Sequence, residues 1–245
     1  MYQIRSYRSL WCGDNLVSFR VVVKETDLFI HASKFLQDIT KELILKYRGY
    51  IETYLDRYPD FLQTLKPWRA AGPMPAIIND MVVASAKAGV GPMAAIAGAI
   101  AEHVGTDLLS YTDEVVVENG GDIFYKTNDP VTIGIFAGSS PLSLRTGIRL
   151  DSGGKSMSVC TSSGSIGHSL SLGKADAVCV VSRSCSLADA AATSIGNRVK
   201  AEAHIQTAID FGKNIEGIRG IVVIISNEIG FWGDLEIVPL KREKG

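Results

Sequence analysis

Cysteine, net charge and long apolar runs are all scarce in this chain. Cys12, Cys160, Cys179 and Cys185 are its only four cysteines in 245 residues. None forms a C-x-x-C pair, which excludes a zinc knuckle and a thioredoxin-type redox site. Met1-Tyr2-Gln3-Ile4-Arg5 does not read as a secretory leader, so the expectation is reduced, buried thiols in a cytoplasmic protein. Lys and Arg number 25 against 26 Asp and Glu, a formal net charge of -1. That balance excludes the basic stripe a nucleic-acid partner needs. No apolar run approaches the roughly 18–20 residues of a membrane span, which argues against a membrane partner. The longest, Met93 to Ala101, is Ala-rich and suits a core helix. Glycine is short in one half only, with three in the first 88 residues and fourteen between Gly89 and Gly173.

What is present is a globular composition, 46% hydrophobic and 21% charged. A chain of this size buries roughly 70–75% of its unfolded surface and needs no disulfide or metal to fold. One domain over residues 1–245 is expected. Within it, residues 1–70 form an N-terminal β-ribbon and a long helix packed on the core. Tyr2 to Tyr7 and Asn15 to Val23 alternate as strands do. Thr26 or Asp27 can cap a helix whose apolar positions Leu28, Phe29, Ala32, Phe35, Leu36 and Ile39 recur at helical spacing and continue to Tyr47. Gly49 is a weak point before Ile51 to Arg57 resumes. Further helices are read over Ile77 to Ala88, Met93 to Val104 and Ala201 to Phe211. Val115-Val116-Val117 and Ile123-Phe124-Tyr125 flank Asn119-Gly120-Gly121-Asp122, a strong hairpin signal. Strands follow at Val131 to Phe136, Leu144 to Leu150, Met157 to Cys160, Ala177 to Val181, Ile218 to Ile225 and Leu235 to Val238. The pattern is α+β, with helices packed on a mostly antiparallel sheet.

Several catalytic signatures fail on inspection. Gly89-x-Gly91-x-x-Ala94 fits a loose dinucleotide pattern, but a helix precedes it rather than a strand. Gly153-Gly154-Lys155-Ser156 lacks the P-loop's first glycine, because Arg149 stands there. Asp151-Ser152-Gly153-Gly154 lacks the glycine that should precede the Asp in a protease nucleophile segment. Gly167-His168-Ser169-Leu170-Ser171 misses the last glycine of a nucleophile elbow. A Ser169/His168 hydrolase stays open as one alternative. His31 and His204 lie in helical patterns, and His103 lies near a helix end. Only His168 sits among loop glycines and serines, where it is the candidate catalytic histidine.

One constellation survives. Ser186 opens an Ala-rich helix on which Asp189 and Thr193 stand four residues apart, so both side chains leave one face. A carboxylate and a hydroxyl are hard oxygen ligands, suited to Mg²⁺ or Ca²⁺ and not to zinc. The same residues fit a second reading, in which Ser186 and Asp189 form a capping box and Asp189 merely stabilises its own helix N-terminus. Upstream, Gly120-Gly121-Asp122 and Thr161-Ser162-Ser163-Gly164 supply small and hydroxylic residues for a polar ligand.

Four segments, in order, resemble the FAD:protein FMN transferases of the ApbE family. They are Gly91-Pro92-Met93-Ala94-Ala95-Ile96, Gly120-Gly121-Asp122, Cys160-Thr161-Ser162-Ser163-Gly164 and Ala188-Asp189-Ala190-Ala191-Ala192-Thr193. The resemblance spans roughly residues 75–200 and is similar to a smaller branch related to ApbE. It implies a T-fold-like α+β architecture, with FAD held by the Gly120–Asp122 and Thr161–Gly164 segments. It also implies Mg²⁺ on Asp189, Thr193 and the Ala94 backbone carbonyl. The implied chemistry is attack by a protein Ser or Thr hydroxyl on the FAD diphosphate, which leaves FMN attached and releases AMP. Partners would be a phosphate-bearing small molecule and a protein acceptor, and the Ala-rich faces and long N-terminal helix also suit a homo-oligomer. The chain departs from the family where Ala95 and Ile96 replace a Lys and a Gly. A loop of the form H-I-I-D-P-x-T-G is also missing around His168. These departures keep open a non-catalytic ligand-binding module of the same fold.

Overall fold

The computed structural model describes residues 16–69, 72–164 and 172–240. The expected strand at Tyr2 to Tyr7 lies outside them. The chain opens with β1 (Val17–Val23) and β2 (Thr26–Ala32), joined by a two-residue turn in which Lys24 has φ 52°. The helix expected from Leu28 therefore begins later. Residues 26–32 are a strand buried almost throughout. A strand buried on both faces reads as an unbroken apolar run, which periodicity cannot tell from a buried helix. Arg20 locks the hairpin by a two-pronged ion pair with Asp27, at 2.7 and 3.1 Å. His31 lies on this strand, not on a helix, and burial drops its pKa to about 4.

Helix α1 (Gln37–Arg57) then runs unbroken through Gly49. The short α2 (Asp60–Gln63) follows, and α3 (Ala76–Ala88) ends at Gly89, whose φ of 73° is the left-handed cap that glycine adopts without strain. A 3-10 turn, Pro92–Ala95, leads into α4 (Ile96–Leu108). His103 lies inside α4, paired with Asp80 at 2.8 Å, rather than at its end.

The β elements are β3 (Val115–Asn119), β4 (Asp122–Lys126), β5 (Val131–Gly134), β6 (Thr146–Leu150), β7 (Met157–Ser162) and β8 (Ala177–Ser182). After α5 (Cys185–Gly196) and α6 (Ile205–Lys213) come β9 (Ile218–Ile225), β10 (Glu228–Gly233) and β11 (Glu236–Pro239). An eight-stranded sheet has the order β1-β2-β3-β4-β7-β8-β9-β10, and every neighbouring pair is antiparallel. A second sheet has the order β11-β6-β5. Successive side chains on a strand point to opposite faces, and two cores result. Val115, Val117, Phe124, Val178 and Val180 pack under the helices. Val116, Ile123, Tyr125, Cys179 and Val181 pack against the small sheet. The architecture is mixed α/β in three layers, with the large antiparallel sheet in the middle. Among the described residues no single helix is long and apolar enough to cross a membrane.

Candidate functional site

Asn119 and Asp122 are cross-strand partners, so only Gly120 and Gly121 make the turn, with φ of 70° and 118°. Both central residues of such a tight hairpin need positive φ, which favours glycine. The turn lies beside the end of β7. Thr161 N–H donates to Asp122 Oδ1 at 3.3 Å, and a Cβ on Gly121 would stand 3.8 Å from the Thr161 carbonyl oxygen. Behind it, Gly121 N–H donates to Glu118 Oε1 at 3.1 Å. Asn119 Nδ2 donates to the Ala97 carbonyl at 3.0 Å, tying the hairpin to the start of α4.

Helix α5 carries ten buried residues among its twelve, and only Asp189 and Thr193 break the surface. They are one turn apart and on one stripe, which Asn197 continues just past the helix. Its own N-cap is Ser184, whose hydroxyl accepts the Leu187 N–H at 3.3 Å. Asp189 is thus the fifth helical residue and not the third, and the Ser186–Asp189 capping box does not form. Its carboxylate serves another helix. Asp189 Oδ2 accepts the Gly98 N–H at 2.9 Å, and the Ala97 N–H also bonds to this carboxylate. In a continuous α-helix the Gly98 N–H would go to the Ala94 carbonyl. The break at Ala95, with φ −117° and ψ 3°, diverts that donor to Asp189 and away from Ala94. The Ala94 turn itself packs on α5.

Glu102 of α4 returns the favour. Its Oε2 accepts the N–H groups of Cys185 and Ser186 at 2.9 and 3.1 Å. Each helix therefore offers a carboxylate to the exposed amides at the other's N-terminus, where helical N–H groups lack partners of their own. The crossing is tight because Gly98 has no side chain. A Cβ there would collide with the Cys185 carbonyl and stand 2.9 Å from Asp189 Cβ.

The electrostatics are those of crowded acids. Burial pushes Asp122 up to about 7, with Glu118 adding to the rise and the Cys160 thiol and Thr161 N–H opposing it. Asp189 keeps an open edge, yet crowding by protein atoms and the Asp122 charge raise it well above the usual carboxylate range, against the pull of the Gly98 and Ala97 N–H groups. Burial also raises Glu102. Beneath them Cys160 and Cys185 are free thiols 3.5 Å apart, both raised chiefly by burial and therefore unreactive.

The structure brings Gly120, Gly121, Asp122, Thr161, Asp189, Thr193 and the Ala94 turn to one end of the sheet. Ser162 joins them beside Gly196 at the end of α5. Gly164 lies just beyond: its N–H donates to Ala175 O at 2.8 Å, and it packs against Gly173, which in turn abuts Gly196. Ser163 follows the end of β7, and the chain bends at Gly164. His168 lies outside the described residues, as do Ser169 and the rest of the near-elbow. The dinucleotide pattern at Gly89 follows helix α3, which removes a Rossmann site. The roles of Asn119 and Glu102 are not legible in the sequence alone, although a lone carboxylate in the apolar run Ala97 to Val104 is a usable signal. Among the described residues no cluster of three or more His, Cys, Asp and Glu side chains could hold a metal. The candidate ligands here are a carboxylate, a hydroxyl and the Ala94 carbonyl, from which the Gly98 N–H is diverted. That set is all oxygen, and it suits Mg²⁺, which takes one or two carboxylates and completes its shell with water and phosphate. A separate cavity of about 780 Å³ opens past the far end of α5, lined by Ser140, Lys174, Asp176, Lys200, Ile225 and Asn227.

Comparison with known proteins agrees with the architecture. A family model described as AbpE bacteria matches residues 9–230. A UPF0280 protein from Methanococcus aeolicus is 37% identical over 236 residues, covering 94% of this chain and 95% of the relative. One from Methanocella arvoryzae is 38% identical over 214 residues, covering 87% of each. Among solved structures, the apo flavinyl transferase ApbE of Pseudomonas stutzeri superposes with TM-score 0.55 at 16% identity, over 89% of this chain and 94% of that one. The ApbE protein of Thermotoga maritima does so with TM-score 0.55 at 12% identity, over 88% and 96%. At those identities the likeness speaks for the fold alone.

Proposed function

The chain belongs to the family described as AbpE bacteria, and on that premise we propose that it binds the diphosphate of FAD with Mg²⁺ where α4 crosses α5, and transfers FMN to a Ser or Thr hydroxyl of a protein acceptor. The observation that carries this reading is the α5 stripe, where Asp189 and Thr193 alone stay open on a helix otherwise buried. A carboxylate has about four lone-pair sites, so two backbone N–H bonds leave Asp189 able to bind a cation. Thr193 adds its hydroxyl and Ala94 its carbonyl. Bound Mg²⁺ would neutralise and orient the diphosphate. Gly120 and Gly121 have no side chains to hold a ligand away from the hairpin backbone. The hydroxyl of Ser162, beside the end of α5, can donate to phosphate oxygens, with Ser163 next to it, whereas Thr161 gives its hydroxyl to Cys179 Sγ at 3.3 Å and would meet the ligand through its backbone. In the transfer, the acceptor oxygen bonds to the FMN phosphorus, the bond to the AMP oxygen breaks, and AMP leaves. The catalytic part of His168 rests on sequence alone.

A non-catalytic binding module is the second reading. Ala95 is fully buried where the family carries a Lys, so no cation is supplied from that position. One experiment separates the two. The protein is incubated with FAD, Mg²⁺ and an acceptor bearing an exposed Thr, and AMP and the acceptor mass are measured. AMP release with an FMN adduct is expected, and Asp189→Ala should abolish both, together with any Mg²⁺-dependent thermal shift. FAD binding without an adduct supports the binding module. No FAD binding, with wild type and Asp189→Ala alike, overturns the flavin reading.

A further inference from the structure

Glu102 touches none of the residues proposed to meet the ligand, yet it is bonded more heavily than any of them. One oxygen, Oε2, accepts the Cys185 and Ser186 N–H groups at 2.9 and 3.1 Å and faces the Ser186 and Ser184 hydroxyls at 3.3 and 3.4 Å. The α5 N-terminus already has a cap in Ser184, so these bonds do something a local cap does not. They tie the start of α5 to a fixed point on a different helix.

The arrangement is reciprocal. On α4, Gly98 offers its N–H to Asp189, and Glu102 stands four residues later. On α5, Cys185 offers its N–H to Glu102, and Asp189 stands four residues later. Residues four apart share a helix face, so two matched faces meet in antiparallel sense around the Gly98 contact. This pair of clamps sets both the rotation of α5 and its position along its axis. A helix turns roughly 100° per residue, as 3.6 residues per turn requires. A one-residue slip of α5 would swing Asp189 and Thr193 into the packed alanines and bring Ala190 and Ser194 to the opening.

Resting on the assignment of Asp189 and Thr193 as the metal pair, we propose that Glu102 is a positioning residue. Its carboxylate sets the register of α5 against α4, and thereby holds Asp189, Thr193 and the Ala94 carbonyl toward one point. Loss of the carboxylate leaves the α5 amides free to seek water. The register then loosens, and Asp189 loses its hold on Gly98 as well.

The test compares Glu102→Ala, Glu102→Gln, Asp189→Ala and Ile44→Val, the last a buried α1 change that lowers stability away from the crossing. Mn²⁺ serves as the probe, titrated by electron paramagnetic resonance, and amide exchange is followed at Ala97 and Gly98. Glu102→Ala should weaken Mn²⁺ about 10–100-fold, the usual cost of losing a residue that orients a metal ligand. It should also speed exchange at Gly98 as Asp189→Ala does. Glu102→Gln keeps an acceptor oxygen and should restore both readouts to within about threefold of wild type, as expected where a neutral acceptor still satisfies the amides. Ile44→Val should change neither. Wild-type affinity and wild-type Gly98 exchange in Glu102→Ala would overturn the proposal. If wild type binds no Mn²⁺, the metal reading fails, while the Gly98 exchange rates still decide whether Glu102 sets the register.

Discussion

The two faces of the eight-stranded sheet are built from the same strands and hold very different interiors. On β4, Ile123 and Tyr125 enter the space between the sheets, while Phe124 and, by alternation, Asp122 turn toward the helices. On β7, Val159 faces one way and Cys160 the other. The sandwich side is closed by aliphatic residues such as Val131, Ile133, Ile148 and Ile224. The helix side admits Asn119, Asp122, Glu102 and Asp189. Acids can be buried there because two helices begin there, and free N–H groups at helix starts offset the desolvation that a carboxylate suffers. Among the described residues the sandwich side has no helix ends to offer, and Glu118, buried on that face by alternation with Val116, is satisfied at its rim by the Gly121 turn N–H.

The sharpest break of this comparison is Ile148→Ala. Ile148 is fully buried between the sheets. Its truncation should cost about 2–5 kcal/mol in denaturant unfolding, the range for cutting a buried aliphatic to Ala. The affinity of the refolded protein for Mg²⁺ and FAD should not change. A large shift in affinity would mean that the two faces are not independent.

Next in size is Gly98→Ala. The added methyl meets the Cys185 backbone and Asp189, which cannot swing aside as a flexible side-chain end can. About 1–3 kcal/mol of destabilisation is expected, as for overpacking elsewhere, together with loss of ligand binding. Gly147→Ala in the small sheet, on the face turned away from the core, makes the matching control. There the methyl stands 2.9 Å from the end of Leu240 and 3.2 Å from the Ile133 carbonyl oxygen, so a smaller loss and no binding defect are expected. Thermal melts of the two variants decide whether the α4–α5 crossing is the stricter contact.

The smallest effect is one of pH. Asp122, raised to about 7, keeps in the folded protein a proton that the unfolded chain releases near its ordinary value of about 4. The folded state thus holds more protons between those values. Stability falls as pH rises through that window and levels off above it. Asp122→Asn retains an acceptor for the Thr161 N–H but has no proton to lose. Its unfolding midpoint should be flatter between about pH 4 and 7 than that of wild type. An unchanged slope would assign the titration to another buried acid of the helix face.

Local signals were read correctly where local chemistry decides. The Gly120-Gly121 turn, α3 with its Gly89 cap, and the apolar β9 all have causes within a few residues. Strand β2 reads as helix in the sequence because burial on both faces erases its alternation. Strand β10, Glu228–Gly233, went unseen because two glycines and a half-exposed apolar set give little period at all. The break before α4 leaves no mark in the sequence, since Pro92 to Leu108 has one composition throughout. The candidate site was legible as residue types, with Asp189 and Thr193 on one face. Glu102 was not, because its partners are 83 and 84 residues away.

The sequence by itself determined the glycine hairpin, because its backbone angles are costly for any other residue. It also determined that Asp189 and Thr193 share a helix face, because the α-helical repeat allows nothing else. Tertiary structure decided which face of α5 stays open and which helix Asp189 serves. At the fifth position Asp189 lies beyond the free amides of its own first turn. Only the crossing of α4, at a glycine with no side chain in the way, brings those of a second helix within reach.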